Sequence, residues 1–245
     1  MIEVEANGEM AALQATTPLA KAREVLWSYV EADEFVRAVN ALRNGYDNEP
    51  TAVLIERALH GPADLFLEDA GNNSGRNFMF ELIMGGRLAA AGYSPSFDKG
   101  PDVQFEFAGL QVAVQCKRPF SASGLEKNIR KAINQLEESK ADLRLIVISV
   151  SRLLNPGDPD SIPEVLSVEL GHQHVQDCIF RIAEQTERFW FGKMNRAGIL
   201  FYAFTPIRSQ QENGYHPNRG EAMFPLSTDE PTSTLLRRLA QSLKT

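Results

Sequence analysis

The sequence has little cysteine, with only Cys116 and Cys178 among 245 residues. Two thiols do not make a disulfide framework, so a reducing compartment is expected. No apolar run approaches about 18 residues, the length that a transmembrane helix needs. The start, MIEVEANGEM, is acidic and has no apolar segment, so no secretory signal is predicted. These absences predict a cytoplasmic protein that does not use a membrane.

Net positive charge is also lacking. The chain carries 25 Lys and Arg against 32 Asp and Glu, a formal net charge of −7 at pH 7. This balance argues against a protein that coats nucleic acid without specificity, although it is compatible with a local basic site. The chain has no Walker loop, G-x-S-x-G elbow, zinc-type CxxC or dinucleotide fingerprint, which excludes several common enzyme classes.

Apolar residues are plentiful: they make up 43% of the chain, enough for a sizeable core. Their spacing of three and four over residues 11–60 predicts helices. From there the patterns predict a helix over 76–91 and two strands over 103–107 and 110–117. A helix over 124–139, a strand over 143–150, a helix over 164–190 and a strand over 198–204 follow. Residues 205–230 are expected to be irregular and 235–243 helical. The prediction is a mixed α/β domain with a C-terminal extension over 71–245, behind a helical N-terminal region over 1–70.

The predicted helix over 124–139 has a recognisable start signal. Ser123 and Glu126 match the S-x-x-E capping box, in which the serine side chain accepts a hydrogen bond from the first helical turn. The sequence therefore predicts Ser123 as the N-cap of this helix.

Two alternating segments predict a β-hairpin with polar side chains at its open end. If Ala108 and Gly109 form the turn, Asp102 faces Gln115, with Cβ atoms roughly 5 Å apart. Lys117 projects from the same face as Gln115 because alternate strand residues share a face. A loop longer by one residue would move one strand's side chains to the other face.

A carboxylate, an amide oxygen and an ammonium group at one place have a clear chemical use. Asp102 and Gln115 could hold a hard divalent cation such as Mg²⁺. Such a cation lowers the pKa of a bound water and stabilises charge on a phosphate oxygen. Lys117 could orient the attacking water or offset charge in the transition state. Glu81, on the preceding helix, is the candidate for a further carboxylate.

These residues belong to a longer series of motifs. The series comprises Phe80-Glu81, Ala91-Gly92-Tyr93, Asp98-Lys99-Gly100-Pro101-Asp102 and Val114-Gln115-Cys116-Lys117-Arg118. It resembles the PD-(D/E)XK nuclease superfamily, and the glutamine in place of the second acidic residue is most similar to the Mrr-type restriction endonuclease branch. The resemblance covers about residues 75–150.

The resemblance implies a restriction-endonuclease-like core, αβββαβ, with a central mixed sheet flanked by helices. It implies a Mg²⁺-dependent endonuclease, with Mn²⁺ as a substitute, that hydrolyses DNA phosphodiester bonds in restriction or anti-phage defence. The implied metal ligands are three side chains and one backbone carbonyl: Glu81, Asp102, Gln115 and Cys116. Lys117 is implied to be catalytic. The residues themselves leave DNA and RNA open as substrates.

A nucleic-acid surface is predicted beside this site, because residues 117–144 hold seven basic and four acidic side chains. Lys127, Arg130 and Lys131 lie within one helical turn and could bind phosphates, although an ordinary solvated helix face explains them equally well. Arg118 belongs to the same predicted surface, and the resemblance adds Gln135 as a polar accessory residue. Cutting both strands of a duplex calls for two active sites, so a homodimer is compatible with this function.

Other interpretations stay open. Taken alone, Asp102 and Lys117 would be a solvent-facing ion pair. A nuclease fold with a lapsed site could act as a nucleic-acid- or protein-binding module. In a third interpretation the N-terminal region docks a partner, which an exposed apolar stripe over 19–42 would favour. His172 and His174 match a surface turn better than a metal site, since nothing near them in the sequence completes a tetrahedral set.

Overall fold

The structure, a computed structural model, describes residues 19–43, 49–60, 74–97, 100–154 and 163–243. Within these ranges a mixed sheet of six strands forms the centre of the fold. The strands are β1 (Val103–Phe107), β2 (Leu110–Lys117), β3 (Leu143–Ser149), β4 (Glu164–Val165), β5 (Ala197–Ser209) and β6 (Gly214–Pro225). The helices are α1 (Leu19–Arg43), α2 (Glu49–Leu59), α3 (Ser74–Ala90), α4 (Ala122–Glu137), α5 (Ser151–Leu154), α6 (Val168–Trp190) and α7 (Glu230–Ser242). The predicted α/β class with a helical N-terminal region is confirmed.

The sheet combines a parallel centre with antiparallel edges. β2, β3 and β5 run parallel and are neighbours, while β1 pairs with β2 and β6 pairs with β5 in antiparallel fashion. The two-residue β4 adds to the end of β5. Parallel strands are joined by crossover helices, which cover both faces of the sheet. The continuous apolar runs predicted over 143–150 and 198–204 are therefore buried on both sides.

The hairpin of β1 and β2 has the predicted register. Val103 lies opposite Val114, so the extended register places Asp102 opposite Gln115. Ala108 has a φ of 53° at the turn and the following glycine a φ of 77°. Two consecutive positive φ angles are what a two-residue type I′ turn requires.

Alternation along β2 separates the two layers of the core. Val112, Val114 and Cys116 point toward α3 and α7, while Ala113 points toward α4 and α6. Gln115 and Lys117 follow Ala113 in this alternation. The side chains of Gln115 and Lys117 therefore leave the strand on the α4 side, and the Cys116 side chain is part of the core on the α3 side.

The helices α1 and α2 pack against α3. Ala38 and Leu42 of α1 and Leu54 of α2 form a buried cluster with Leu82 and Ile83. No described helix, α1 included, has the length and apolarity to cross a membrane. The division of the chain at residue 70 stays a prediction.

The apolar stripe of α1 is mostly covered. Among its described side chains, Leu26, Trp27 and Val30 are buried, and Trp27 lies edge-on against Phe204 with the ring centroids 4.5 Å apart. Tyr29 is 44% exposed, on another side of the helix. Val36, seven residues further along the same side, is 53% exposed, so the described part of α1 keeps a short exposed apolar strip beside its buried face. The interpretation in which this region docks a partner therefore stays open.

The prediction of an irregular segment over 205–230 was wrong. β5 continues to Ser209, and β6 pairs with it along its whole length. The β6 sequence GYHPNRGEAMFP contains glycine, proline and asparagine, which have low strand propensity. Proline is tolerated because β6 lies at the sheet edge, where a missing ladder donor costs little. Pairing with the long β5 overrides the local preference.

The predicted cap of α4 was also wrong. The N-cap is Ser121, whose Oγ accepts a hydrogen bond from the Gly124 backbone N–H at 3.3 Å. Glu126 does not complete a capping box; its carboxylate pairs with Arg130 at 2.8 Å. The helix begins two residues before the position that the Ser123 motif indicates.

Two further boundaries differ from the prediction. The helix predicted over 164–190 begins at Val168, after the N-cap Ser167, because Glu164 and Val165 pair with β5. The strand that the family core would place before β1 is a single antiparallel bridge between Ser96 and Gln104.

Candidate functional site

Asp102 and Lys117 meet at the open end of the hairpin. The Lys117 ammonium donates to Asp102 Oδ2 at 3.4 Å and to the Cys116 carbonyl at 3.0 Å. Asp102 Oδ2 also accepts a hydrogen bond from the Cys116 backbone N–H at 2.7 Å. The two side chains are only 18% and 12% exposed. This ion pair is therefore largely buried, unlike the solvent-facing pair that the two residues alone would suggest.

Burial makes this pair costly as a purely structural feature. Removing two charges from water costs several kcal/mol per ion, and the attraction between them often fails to repay it. An exposed pair would gain and lose little. The buried pair is therefore weak evidence for a stabilising contact, and the two charges form a candidate functional site.

Glu81 of α3 adds a second carboxylate. Burial, and after it the negative charge of Asp102, raise the pKa of Glu81 to about 8, against the opposing charges of Lys117 and Arg57. No hydrogen bond from the described residues reaches the Glu81 carboxylate. Two carboxylates whose negative charges repel each other favour the uptake of a proton or a cation.

Gln115 is the predicted site residue that the structure does not bring to the others by a hydrogen bond. It is 1% exposed, and its Nε2 has no hydrogen-bond partner in the described part of the chain. The Gln115 side chain lies on one face of β2, and the Cys116 side chain, which interacts with the charge of Glu81, lies on the other. A buried amide without a partner costs free energy, so a nearby acceptor or ligand would stabilise it.

The Cys116 thiol belongs to the core. Burial raises its pKa, and the charges of Asp102 and Glu81 raise it further. A thiol of this kind stays protonated and is not a nucleophile. Only the backbone of Cys116 takes part in the site, through its N–H and its carbonyl.

The donor atoms fit a hard cation. Glu81 and Asp102 supply carboxylate oxygens, and the hydrogen bonds that Asp102 accepts from described residues all use Oδ2, leaving Oδ1 for a ligand. Oxygen donors of this kind suit Mg²⁺ or Mn²⁺ rather than zinc. No group of three His, Cys, Asp or Glu side chains within the described ranges could hold a metal ion, so the third ligand would have to be an amide or backbone oxygen.

His172 and His174 lie in the first turns of α6, so the surface-turn prediction was wrong. His172 Nδ1 is 3.4 Å from the Arg219 carbonyl, and His174 Nε2 is 3.8 Å from Cys178 Sγ. Neither histidine belongs to a metal-binding group among the residues with described positions.

The predicted nucleic-acid residues fall into two places. Four of them share the outer face of α4, where they line a shallow groove: Lys127, Arg130, Lys131 and Gln135. Arg118 instead lies beside Glu31, in a narrow space between α1 and the sheet. Gln135 therefore sits on the exposed side of its helix, and no hydrogen bond among the described residues joins it to Lys117.

Sequence reasoning overlooked buried polar groups at the carboxyl ends of β2 and β3, the end where parallel sheets commonly bind ligands. Arg76 is 2% exposed and pairs with Glu31. Burial raises the pKa of Glu31 against the charges of Arg76 and, more weakly, Arg118. Ser149 donates to Ser151 in the same region at 3.3 Å. The sequence feature that could have indicated this buried polar group was Arg76, a single charged residue near the start of an otherwise apolar helix.

The raised pKa of Glu81 predicts a pH dependence of stability. The folded carboxyl keeps its proton up to a pKa of about 8, while the unfolded one releases it near 4.5, so unfolding becomes easier as the pH rises between these values. Glu81→Gln, which resembles the protonated form, should match the wild type near pH 4.5. Above pH 8 the free energy of unfolding of Glu81→Gln should exceed that of the wild type by about 4–5 kcal/mol.

Urea unfolding in metal-free buffer at several pH values measures this difference. Glu106→Gln, at an exposed position of β1, is the control and should follow the wild type throughout. Parallel stability curves for Glu81→Gln and wild type would show that Glu81 ionises freely in the folded protein.

No protein-family model matches the sequence, and comparison with curated proteins and with solved structures finds no match. The function of the site is therefore inferred from its own chemistry.

Proposed function

We propose that this protein is a metal-dependent nuclease of the restriction-endonuclease-like fold that hydrolyses DNA phosphodiester bonds. The observation that supports this most is the largely buried contact between Lys117 and Asp102, with Glu81 beside it. The element order of α3, a short bridge, β1, β2, α4 and β3 is compatible with an αβββαβ core. A role in restriction or defence rests on the sequence resemblance alone.

Glu81 and Asp102 would hold a Mg²⁺ or Mn²⁺ ion, together with the Cys116 carbonyl and the Gln115 amide oxygen. When bound, the ion would lower the pKa of a water and stabilise charge on a phosphate oxygen. Glu81 must lose its proton to bind a cation, and its pKa of about 8 makes this step dependent on pH. Gln115 carries no charge, so the ion is expected to be held more weakly than by a carboxylate there.

Lys117 would act on the reacting phosphate. Its ammonium uses two of its three donors among the described residues, on Asp102 Oδ2 and the Cys116 carbonyl. The third can point to a phosphate oxygen or an attacking water. Because the group is held in place and shielded from solvent, its charge stabilises a developing negative charge more strongly than in water.

The nucleic acid would lie across the outer face of α4. Lys127 and Lys131 are exposed there and can contact successive phosphates. Arg130 contributes less charge because it pairs with Glu126 at 2.8 Å. A homodimer would supply the second active site that cleavage of both strands requires.

Cleavage assays on supercoiled plasmid, single-stranded DNA and single-stranded RNA test the proposal. We expect DNA cleavage with Mg²⁺ or Mn²⁺ and none with EDTA. Cleavage that persists in EDTA would overturn the metal-dependent mechanism. Calorimetric titration with Mn²⁺ accompanies the assay: a protein that neither binds Mn²⁺ nor cleaves would be a binding module with a lapsed site, the alternative favoured by the neutral Gln115.

The Gln115→Glu variant further distinguishes a metal-dependent nuclease from a binding module whose metal site has lapsed. In metal-free buffer the new buried carboxylate should destabilise the fold by about 2 kcal/mol, since it is desolvated and lies opposite Asp102. If the site binds metal, Mg²⁺ should restore this stability, and its affinity should exceed that of the wild type about tenfold.

Thermal unfolding with and without Mg²⁺ provides the readout. Gln185→Glu introduces the same change at an exposed position of α6 and should show neither effect. A Gln115→Glu protein that Mg²⁺ does not stabilise would place residue 115 outside the metal site.

A further inference from the structure

An exposed aromatic ring lies close to the Lys117 ion pair. Phe120 follows Lys117 by three residues, so the Cα atoms of the two residues are at most about 11 Å apart. The Phe120 side chain is 39% exposed, although the residue before it, Pro119, is buried. Single exposed apolar side chains are ordinary at protein surfaces, so the meaning of this ring depends on its position and its neighbours.

The backbone on both sides of Phe120 is restricted. Pro119 fixes the chain before it, and Ser121 after it is the N-cap of α4. The guanidinium carbon of Arg152 lies 4.8 Å from the centre of the Phe120 ring. Arg152 follows β3, whose carboxyl end lies beside that of β2 because the two strands are parallel neighbours. A ring and a cation are therefore held together at the sheet edge that carries Lys117, which reduces the entropy lost when a ligand binds.

A second contact between an arginine and an aromatic ring lies near Glu81. The guanidinium carbon of Arg57 is 5.3 Å from the centre of the Phe78 ring, and Phe78 is on the same side of α3 as Glu81, three residues earlier. The charges of Lys117 and Arg57 both oppose the rise in the pKa of Glu81, so both groups act on its carboxyl. Arg57 is exposed and makes no ion pair within the described ranges. A phosphate group can therefore reach this cation.

We propose that the surface formed by Phe120, Arg152 and Arg57 binds single-stranded DNA across the Lys117 site, with an unpaired base stacked on Phe120 and a backbone phosphate on Arg57. This inference rests on the proposed nuclease function and names its substrate, a strand whose bases are unpaired near the cut. Proteins bind single strands with exposed aromatic rings and cations, because every base has a flat face that a ring can contact. In a duplex the bases are stacked on one another, so Phe120 would meet no free base face.

Fluorescence anisotropy tests this proposal with a short labelled DNA strand and with the blunt duplex of the same sequence. Both are titrated in EDTA at constant ionic strength, so that binding is measured without metal-dependent cleavage. We expect the wild type to bind the single strand about tenfold more tightly than the duplex.

Substitutions at Phe120 show whether stacking causes this preference. Phe120→Ala and Phe120→Leu should weaken binding of the single strand about tenfold and leave the affinity for the duplex unchanged, whereas Phe120→Tyr keeps the ring and should bind as the wild type does. Phe191→Ala is the matched control and should change neither affinity. Phe191 is 41% exposed and follows α6 at the amino end of β5, the opposite edge of the sheet.

Replacement of Arg57 measures the phosphate contact separately. Arg57→Gln should weaken binding of the strand and of the duplex by the same factor, because both carry phosphates. It should also reduce the slope of log K against log salt concentration by about 1.

Two results would overturn the proposal. One is a wild type that binds the strand no more tightly than the duplex, or not at all at about 100 μM. The other is that Phe120→Ala and Phe120→Leu, both folded by circular dichroism, bind the strand as the wild type does. Cleavage assays keep the two proposals distinct: a protein that binds the strand through Phe120 and never cleaves it would contradict the nuclease function alone. Metal-dependent cleavage without a strand preference would contradict this inference alone.

Discussion

Lys117→Ala should reduce metal-dependent DNA cleavage by a factor of about 10²–10³, the loss seen when one positioned electrostatic donor is removed from an active site. The ammonium is held by Asp102 Oδ2 and the Cys116 carbonyl, where solvent does not screen it. Alanine removes the charge without adding bulk. Initial cleavage rates on plasmid DNA measure the effect, and circular dichroism verifies that the variant is folded.

Asp102→Asn should reduce the rate at least as strongly, because it removes both a metal ligand and the partner of the ammonium. The two residues act together, so the double variant should be little slower than either single one. Additive losses would mean that Asp102 and Lys117 contribute separately.

A matched ion pair on the surface provides the control. Arg237 and Glu230 have the same 3.4 Å separation between nitrogen and oxygen, but their side chains are 71% and 73% exposed. Arg237→Ala should leave cleavage unchanged, since an exposed pair contributes little. Cleavage that survives in both the Lys117 and the Asp102 variants would exclude this pair from the mechanism.

Gly86→Ala should destabilise the protein by about 3 kcal/mol. Gly86 lies where α1 crosses α3, and a Cβ there would be 2.3 Å from Ala38 Cα and 2.5 Å from Ala38 Cβ. These are backbone and near-backbone atoms, which cannot rotate away. The two helices would have to separate, and the cluster of Leu42, Leu82 and Ile83 would lose its packing.

Gly124→Ala is the matched control in another helix. A Cβ at Gly124 would be 3.5 Å from Ser121 Oγ, an ordinary contact. This variant should be as stable as the wild type or gain up to about 1 kcal/mol, because alanine favours the helix. Urea unfolding compares the two variants. A Gly86→Ala protein as stable as the wild type would contradict the contact between α1 and α3.

The sequence predicted the elements whose cause is local. The register of β1 and β2 followed from strict alternation and a two-residue turn, both of which lie within 16 residues of chain from Asp102 to Lys117. The contact of Asp102 with Lys117 could be predicted for the same reason. The predicted start of α6 at residue 164 was too early, because Glu164 pairs with Arg208 of β5 and no local sequence pattern indicates this pairing.

Sequence patterns alone did not identify Glu81 as a site residue. Nothing in its own surroundings in the sequence distinguishes it from a surface glutamate, and only the resemblance identified it. Its raised pKa depends on burial under neighbouring helices and on the charge of Asp102, 21 positions away along the chain. Gln115 is the reverse case: its strand position was predicted correctly, but its complete burial was not.

The sequence by itself thus determined the α/β class, the hairpin and the meeting of Asp102 with Lys117, because period, turn chemistry and register act over short stretches of chain. Only the tertiary structure decided three other features. It made β6 a strand through pairing with β5, it brought Glu81 to the hairpin, and it placed Arg152 against the ring of Phe120. Each depends on contacts between distant segments, whose burial and charge no local pattern contains.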